Sequence, residues 1–266
     1  MPSYTAFPAP TSHSFILATI EPAMATFILV HGAWHGAWCW QKLIPLLERE
    51  GHLAIALDLP GHGQDRTSIS AVSFDAYVER VLEAIDSRTG PLILVGHSMA
   101  GAIISQAAEY RPERIGALVY LCAYLMRAGE TLTAVAKRDV ETKAPSSLVF
   151  SASRDAMTIR EDAVADLLYA RCAPEDAAWA KSRLVPEPTG PWRTPIRLTE
   201  PRFGRIPRVY IECLQDRAIS PAFQRQMLVD VPCRQVFSLD TDHSPYLSAP
   251  RQLAGLLAGV ASTLLP

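Results

Sequence analysis

The chain has 266 residues, of which 49% are hydrophobic, so it can bury a large core within a single domain. Its formal net charge of -2 provides no basic surface of the kind that binds nucleic acid or anionic membranes, and we expect neither as a partner. The five cysteines are scattered, odd in number and without a C-x-x-C pair, which predicts reduced thiols, no structural metal and a cytoplasmic location.

The first 24 residues are rich in proline, serine and threonine and contain one short apolar piece, residues 15–20. No Lys or Arg precedes that piece, and it is too short to span a bilayer, so the pattern favours neither a secretion signal nor a membrane anchor. We expect residues 1–24 to be a disordered extension and residues 25–266 to form the folded domain.

After residue 25, short apolar runs alternate with stretches of helical periodicity. The apolar runs predict six β-strands, at residues 26–30, 53–57, 92–95, 118–122, 208–214 and 234–239. Helices are predicted between them, at residues 38–50, 74–87, 101–110, 221–229 and 250–264. This alternation predicts an α/β fold with a mostly parallel sheet of six or more strands and helices on both faces.

Residues 124–204 interrupt this alternation. They contain helical pieces at residues 160–171 and 174–184 and then a proline-rich run, so we expect an inserted, mainly helical cap over the carboxyl ends of the strands. The candidate walls of a pocket beneath this cap are Phe150, Met157, Leu167, Leu168, Trp179 and Trp192. The alternative for each of them is a place in the core of the insertion.

The apolar run that ends at Val95 is followed by the sequence G-H-S-M-A-G at residues 96–101. This G-x-S-x pattern between a strand and a helix is typical of a nucleophile elbow, a sharp turn that exposes a serine hydroxyl above the sheet. Ala100 and Gly101 are small enough for so tight a turn. We predict Ser98 as the nucleophile, and the alternative is an ordinary turn or helix cap.

In hydrolases with this elbow, the triad follows the chain order serine, acid, histidine. His243 is the one histidine after Ser98 in the sequence and follows the last predicted strand, so we predict it as the base. Asp216 follows the fifth predicted strand and is expected to orient the imidazole. Glu212, inside that strand, and Asp242, adjacent to the histidine, are the alternatives for the acid.

An oxyanion hole needs two backbone N–H groups that point toward the developing negative charge. Met99 follows the nucleophile at the start of a helix, where its N–H has no partner within the helix. The loop after the first strand, H-G-A-W-H-G at residues 31–36, is predicted to supply the second donor from Ala33, with Gly32 in the bend. The alternative is that the glycine marks only a turn. Trp34 is the aromatic residue of this loop that is expected to touch a ligand.

Four segments, FILVHGAWHGAWCW, DLPGHG, LVGHSMAG and IECLQDRAISPAFQRQM, resemble the methylesterase and hydroxynitrile lyase group of α/β-hydrolases and the similar bacterial carboxylesterases. The resemblance covers about residues 25–260. It implies an α/β-hydrolase fold, a triad of Ser98, Asp216 and His243, and oxyanion donors at Ala33 and Met99. The histidine of the DLPGHG segment is expected to be structural.

The lyases of this group carry a threonine after the histidine of the first loop and a lysine after the catalytic histidine. Here those positions hold Gly32 and Ser244, so the hydroxyl that holds a cyanohydrin and the cation that stabilises departing cyanide are both missing. The resemblance therefore favours hydrolysis, with Gly32, Trp34 and Ser244 as substrate-binding residues.

These observations predict a serine carboxylesterase that acts on small, largely apolar esters through an acyl-enzyme, without a cofactor or a metal. The alternatives are hydroxynitrile lyase-type cleavage and a ligand-binding receptor on the same fold. Haloalkane dehalogenase chemistry needs an aspartate at the elbow, which Ser98 excludes. The expected partner is a small-molecule ester, and an apolar cap surface would allow a homodimer.

Overall fold

The computed structural model describes residues 24–264. The extension predicted at residues 1–24 therefore lies outside the described residues, apart from Met24. Within the described range, none of the helices combines the length and the apolar character that crossing a membrane requires.

Residues 24–264 form nine β-strands and ten α-helices, numbered here in chain order. The strands are β1 (Thr26–Val30), β2 (Leu53–Leu57), β3 (Leu92–His97), β4 (Ile115–Leu121), β5 (Leu148–Phe150), β6 (Ala156–Ile159), β7 (Glu187–Pro188), β8 (Arg208–Cys213) and β9 (Gln235–Leu239). The helices are α1 (Ile44–Arg49), α2 (Phe74–Asp86), α3 (Ala100–Tyr110), α4 (Leu132–Ala136), α5 (Ala144–Ser147), α6 (Val164–Leu168), α7 (Pro174–Lys181), α8 (Pro221–Asp230), α9 (Pro245–Ser248) and α10 (Pro250–Leu264).

Six strands form one sheet in the order β2-β1-β3-β4-β8-β9, and each pair of neighbours in it is parallel. The six predicted strands and the predicted parallel sheet are confirmed. The central strands are continuous apolar runs because helices cover both faces of a parallel sheet. In β3, for example, every residue is buried.

The sheet separates two apolar cores, since successive side chains of a strand point to opposite faces. In β1, Ile28 and Val30 belong to one core, together with side chains of α2, α3 and α8. Phe27 and Leu29 belong to the other core, together with side chains of α1 and α10. Helices therefore pack on both faces of the sheet, as the sequence predicted.

A reversal of strand order places a crevice at the middle of the sheet. β1 lies between β2 and β3, so the chain passes from β1 to one side and then returns to the other side as β3. In parallel α/β sheets, ligands bind at the carboxyl ends of the strands where the order reverses. The loops after β1 and β3, which contain the predicted oxyanion donors and nucleophile, border this crevice.

The prediction of one continuous helix at residues 38–50 is wrong. The structure has two elements there, a 3₁₀ turn, Ala37–Trp40, and the shorter helix α1. Pro45 lies in the first turn of α1. Proline has no N–H to donate to the carbonyl four residues earlier, so one continuous helix would lose a hydrogen bond at this point. A proline in the first turn of a new helix loses none.

Residues 122–207, between β4 and β8, form the inserted segment. Besides α4 to α7 it contains an antiparallel sheet in the order β5-β6-β7, which the expectation of a mainly helical insertion did not include. The helix predicted at residues 160–171 is reduced to α6, whereas the one at 174–184 corresponds to α7. Strands of two to four residues are too short for their alternation to be recognised in the sequence.

Candidate active site

Ser98 lies in the turn between β3 and α3 with a backbone φ of 54°, in the left-handed region that non-glycine residues rarely adopt. Its N–H donates to the Leu121 carbonyl (3.2 Å) and its own carbonyl accepts from the N–H of Tyr124 (3.0 Å), so β4 and the following residues hold the turn. A Cβ on Gly101 would collide with the Tyr124 carbonyl oxygen. The chain thus makes the sharp turn that the motif predicts, and Gly101 is the position after the serine that requires glycine.

His243 and Asp216 form a buried pair at the ends of β9 and β8. His243 Nδ1 and Asp216 Oδ2 are 2.7 Å apart. Asp216 Oδ1 accepts from the N–H groups of Ala218 (2.7 Å) and Ile219 (2.9 Å), and Oδ2 also accepts from Gln224 Nε2 (3.2 Å). Because a carboxylate can only accept, Nδ1 carries the proton, and Nε2 of the neutral ring keeps a lone pair.

Ser98 and His243 line the same cavity, which has a volume of about 460 Å³ and lies between the sheet and the inserted segment. Within residues 24–264, the bonds of the imidazole include none to Ser98. Such contacts often tighten only when substrate binds. The cavity therefore brings together the hydroxyl and the imidazole that the sequence predicted as partners.

The two alternative acids have other partners. Glu212 accepts from the hydroxyl of Ser238 (2.6 Å) and pairs with Arg225 (3.0 Å). Asp242 accepts from the hydroxyl of Ser248 at 2.7 Å. Among the three carboxylates, Asp216 is the one that contacts the ring of His243.

The loop after β1 lies directly against Ser98. A Cβ placed on Gly32 would be 2.8 Å from Cβ of Ser98 and 2.8 Å from Nδ1 of His97. The next residue, Ala33, and the residue after the nucleophile, Met99, are both buried. In the described part of the chain, neither of their N–H groups donates to a protein acceptor. Two buried donors without partners beside a serine hydroxyl have the chemistry of an oxyanion hole.

Three buried histidines, named here the neutral histidine cluster, support these loops: His31, His35 and His97. Burial lowers the pKa of each, to about 3 for His35 and well below the ordinary value for the other two. His31 Nε2 accepts from the N–H of Leu59 (3.1 Å), and His97 Nε2 donates to the carbonyl of His243 (2.7 Å). These rings hold the site in place and carry no charge.

His97, Cys122 and His243 each have a possible metal-ligating atom within 4.8 Å of the others. However, the His97 Nε2–H donates to the His243 carbonyl, and the Cys122 thiol contacts the same oxygen at 3.5 Å. Burial raises the pKa of Cys122 well above its ordinary value, which disfavours the thiolate that metals bind. This donor set does not suit a metal ion.

A buried carboxylate joins the inserted segment to the loop after β1. Glu187, in β7, is fully buried, and its Oε2 accepts from His62 Nε2 (2.8 Å) and from the backbone N–H of Trp34 (3.2 Å). Its Oε1 accepts from the hydroxyl of Tyr77 and from Trp192 Nε1, both at 3.2 Å. Four donors thus satisfy both oxygens of a charge that water does not reach.

The surroundings of His62 favour its charged form, because both of its ring nitrogens face acceptors. Its Nδ1 is 3.1 Å from the carbonyl of Pro60, and its Nε2 faces Glu187. Burial alone would lower the pKa of His62, but the charge and the hydrogen bond of Glu187 outweigh burial and raise it. The structural role expected for this histidine therefore takes the form of a buried ion pair with a partner that the sequence analysis missed.

Two other carboxylates tie the inserted segment to the loops that hold the acid and the base. Asp139, in the segment, accepts from the N–H and the hydroxyl of Ser220, at 2.7 and 2.6 Å. Asp242, next to His243, accepts from the N–H of Arg171 at 2.7 Å. Together with the Glu187 contact, these bonds fasten all three loops, after β1, β8 and β9, to the inserted segment.

The cavity wall includes most of the side chains that the sequence proposed for it. Trp34 and four of the six candidates line it: Phe150, Met157, Leu167 and Trp192. The other two predictions are wrong. Leu168 is fully buried in an apolar core, and Trp179 packs edge-on against Trp38 with 5.2 Å between ring centroids.

Ser244, predicted to bind substrate, is also placed elsewhere by the structure. Its side chain is fully buried, and Oγ lies 3.1 Å from the hydroxyl of Tyr246, so Ser244 is not among the described residues that line the cavity. Gly32 is a neighbour of Ser98 but has no side chain to offer a ligand. Of the three predicted substrate-binding residues, Trp34 is the one whose side chain reaches the cavity.

A family model described as "Alpha/beta hydrolase family" matches residues 27–256. The chain belongs to this family. The parallel sheet, the strand order and the helices on both faces are its α/β-hydrolase fold.

Several proteins similar to this chain are named as ester hydrolases. Methylesterase 7 of Arabidopsis thaliana is 32% identical over 248 residues, which cover 88% of this chain and 95% of that protein. Among solved structures, a pyrethroid hydrolase from Sphingobium faniae JZ-2 has a TM-score of 0.81 and 30% identity, over 91% of this chain and 98% of that one. Polyneuridine aldehyde esterase has a TM-score of 0.81 and 27% identity, over 90% and 99%.

These similarities confirm the predicted resemblance to the methylesterase group. They also make this α/β-hydrolase an ester hydrolase of the carboxylesterase type.

Proposed function

We propose that this chain is a serine carboxylesterase in which Ser98 is the nucleophile, His243 the general base and Asp216 the residue that orients it. The observation that carries the proposal is the buried 2.7 Å contact between His243 and Asp216, at the wall of the cavity that Ser98 lines. The strained φ of Ser98 supports it, because backbone strain at a serine whose hydroxyl faces the substrate cavity is typical of a nucleophile elbow.

In the acylation half of the reaction, Ser98 Oγ attacks the ester carbonyl carbon and its proton passes to His243 Nε2. The carbonyl oxygen becomes an oxyanion that the N–H groups of Ala33 and Met99 bind. When the bond to the alkoxy group breaks, His243 returns the proton to the leaving oxygen, and an alcohol departs. Asp216 stabilises the transient imidazolium through Nδ1.

Deacylation repeats these steps with water as the nucleophile. His243 Nε2 takes a proton from water, the hydroxide oxygen attacks the acyl carbon, and the bond to Ser98 Oγ breaks as the proton returns to that oxygen. The products are a carboxylic acid and the regenerated serine. No step requires a cofactor.

The cavity supports small, largely apolar esters as substrates. Its apolar wall comes mainly from the inserted segment, through Tyr124, Leu148, Phe150, Met157, Leu167 and Trp192. We propose that this segment acts as a cap that selects the substrate. Burial of apolar substrate groups against such a wall contributes about 25 cal/mol per Å².

The residues that replace those of the lyases favour ester hydrolysis. A threonine at position 32 would place its Cβ 2.8 Å from Cβ of Ser98, so this loop has no room for the cyanohydrin-binding hydroxyl. Ser244, in the position of the lyase lysine, is buried and bonded to Tyr246. We therefore expect an ester panel to be hydrolysed and mandelonitrile to be cleaved slowly; faster release of cyanide than of any ester product would overturn this assignment.

Covalent labelling tests the nucleophile and separates an esterase from a receptor that only binds. A fluorophosphonate should modify Ser98, located by peptide mass spectrometry, and Ser98→Ala should lose the label and about three or more orders of magnitude of ester turnover. Ser105→Ala, which removes another buried serine hydroxyl of the same region, is the control and should keep the label. A label on another residue would contradict the proposal.

A further inference from the structure

Three positively charged residues line the catalytic cavity: Lys137, Arg154 and Arg193. All three are exposed to solvent, so they lie where the cavity opens. Among the described residues of the cavity wall there is no Asp or Glu. Because the whole chain has a formal net charge of -2, this positive mouth is a local feature and does not reflect a generally basic protein.

The three cations come from separate parts of the inserted segment and converge on one opening. Lys137 follows the last residue of α4, Arg154 lies in the turn between β5 and β6, and Arg193 ends the 3₁₀ turn Pro191–Arg193. The α4 helix and this 3₁₀ turn are joined by the bond from the Thr133 hydroxyl to the Trp192 carbonyl (2.9 Å).

In the described range, none of the three cations forms an ion pair, whereas other arginines of the inserted segment do. Arg138 pairs with Glu130 and Asp230, and Arg160 pairs with Asp162. Among residues 24–264, no ion pair therefore neutralises the positive charge at the mouth.

The carboxylate of Asp155, which follows Arg154 in the chain, forms no ion pair with it in the described part of the chain. The Asp155 carboxylate accepts from the hydroxyls of Ser151 (2.7 Å) and Ser153 (2.6 Å) and does not line the cavity. The guanidinium of Arg154 is 4.7 Å from the ring centroid of Phe150, which also lines the cavity. This stacking keeps one of the charges at the wall.

Ester hydrolysis at Ser98 uses a neutral carbonyl and needs no cation at the far end of the cavity. A cluster of like charges that faces a substrate channel attracts ligands of opposite charge. We propose that the preferred substrate is an ester with a carboxylate remote from the ester bond, whose ester lies at Ser98 and whose carboxylate lies at the mouth. Half-esters of dicarboxylic acids have this chemistry. The inference rests on the proposed ester hydrolysis.

The test compares two methyl esters of equal chain length. One is monomethyl suberate, and the other is the same molecule with its free carboxylate replaced by a carboxamide. At low salt we expect kcat/KM for the carboxylate ester to exceed that for the amide ester by about tenfold, as three weak exposed charge pairs would give. This ratio should fall toward one at high salt, because exposed charges are screened. An equal or higher kcat/KM for the amide ester overturns the inference but leaves ester hydrolysis intact.

The triple variant Lys137→Gln, Arg154→Gln and Arg193→Gln should lower the carboxylate-to-amide ratio to about one. The matched control removes three exposed arginines that do not line the cavity, Arg66→Gln, Arg205→Gln and Arg251→Gln, and should keep the wild-type ratio. An equal loss in both variants would mean that net charge and not the mouth sets the ratio, which also overturns the inference. Turnover that survives Ser98→Ala would instead overturn the proposed function.

Discussion

The variant Glu187→Gln removes the negative charge from a buried carboxylate that accepts hydrogen bonds from four donors, including His62 and the N–H of Trp34. The side chains of Glu187 and His62 are both 0% exposed, so water cannot replace the lost partner of the imidazolium. Removal of one member of a buried ion pair typically destabilises a protein by about 3–5 kcal/mol. Glutamine keeps the volume and one acceptor oxygen, so we expect a loss of about 3 kcal/mol.

The pH dependence distinguishes loss of the ion pair from loss of packing. Burial opposes the charged form of His62, but Glu187 outweighs it and the pKa of His62 is raised in the folded protein. The stabilisation is therefore complete below the unfolded-state pKa of about 6.5 and is lost as the pH rises through the folded-state pKa. The difference in unfolding free energy between wild type and Glu187→Gln should be larger near pH 6 than near pH 9.

Chemical denaturation followed by circular dichroism measures this difference, and ester kinetics measure its effect on the site. Ala33, the proposed oxyanion donor, precedes Trp34, so we expect kcat to fall about tenfold with a smaller change in KM. Tyr77→Phe, which removes one neutral donor to the same carboxylate, should cost about 1 kcal/mol at both pH values. The reasoning would be refuted if Glu187→Gln lowered the free energy of unfolding by less than about 1 kcal/mol near pH 6. It would also be refuted if the variant lowered this free energy equally at both pH values.

The loops around the nucleophile give three further predictions. Asp216→Asn should lower kcat by about 10⁴-fold, whereas Asp242→Asn should lower kcat far less. Steady-state kinetics of both variants with the same ester test this, and the reverse ranking would assign the acid role to Asp242. Gly32→Ala should remove most activity, because the new methyl carbon would be 2.8 Å from Cβ of Ser98; near-native turnover would contradict this contact. The three rings of the neutral histidine cluster have lowered pKa values in the folded protein, so below about pH 6.5 the unfolded state binds more protons than the folded state. The free energy of unfolding should therefore fall as the pH drops below about 6.5, by up to about 1.4 kcal/mol per pH unit for each ring. Denaturation at pH 5.5 and 7.5 measures this fall, and equal stability at both values would exclude it.

The positions of Ser98, Asp216 and His243 could be predicted because each follows a strand that is apolar enough to recognise. In a parallel sheet the carboxyl ends of the strands share one edge, so residues that follow β3, β8 and β9 meet there although they are far apart in sequence. The chain order of the three residue types then leaves one histidine, and the structure pairs it with the expected aspartate. Strand period and order are therefore enough to place these loops.

Contacts made by the inserted segment could not be predicted in the same way. Glu187 is 125 residues from His62, and its strand β7 has two residues, so neither periodicity nor proximity indicates the pair. Ser244 is beside His243 in sequence, yet the chain turns into α9 and directs its hydroxyl toward Tyr246. Side-chain direction in a turn depends on backbone angles that residue types do not specify.

The ties between the inserted segment and the three loops limit how this enzyme can be re-engineered. In a chimaera whose replacement segment has no carboxylate at the positions of Glu187 and Asp139, His62 and Ser220 would keep buried donors without acceptors. The replacement segment would also have to place a backbone N–H where that of Arg171 now donates to Asp242. Each unsatisfied buried group costs about 1–3 kcal/mol, more when it is charged. Exchange of the whole segment should therefore succeed only when both sides of these contacts are transferred together, whereas substitutions at the cavity wall leave them intact.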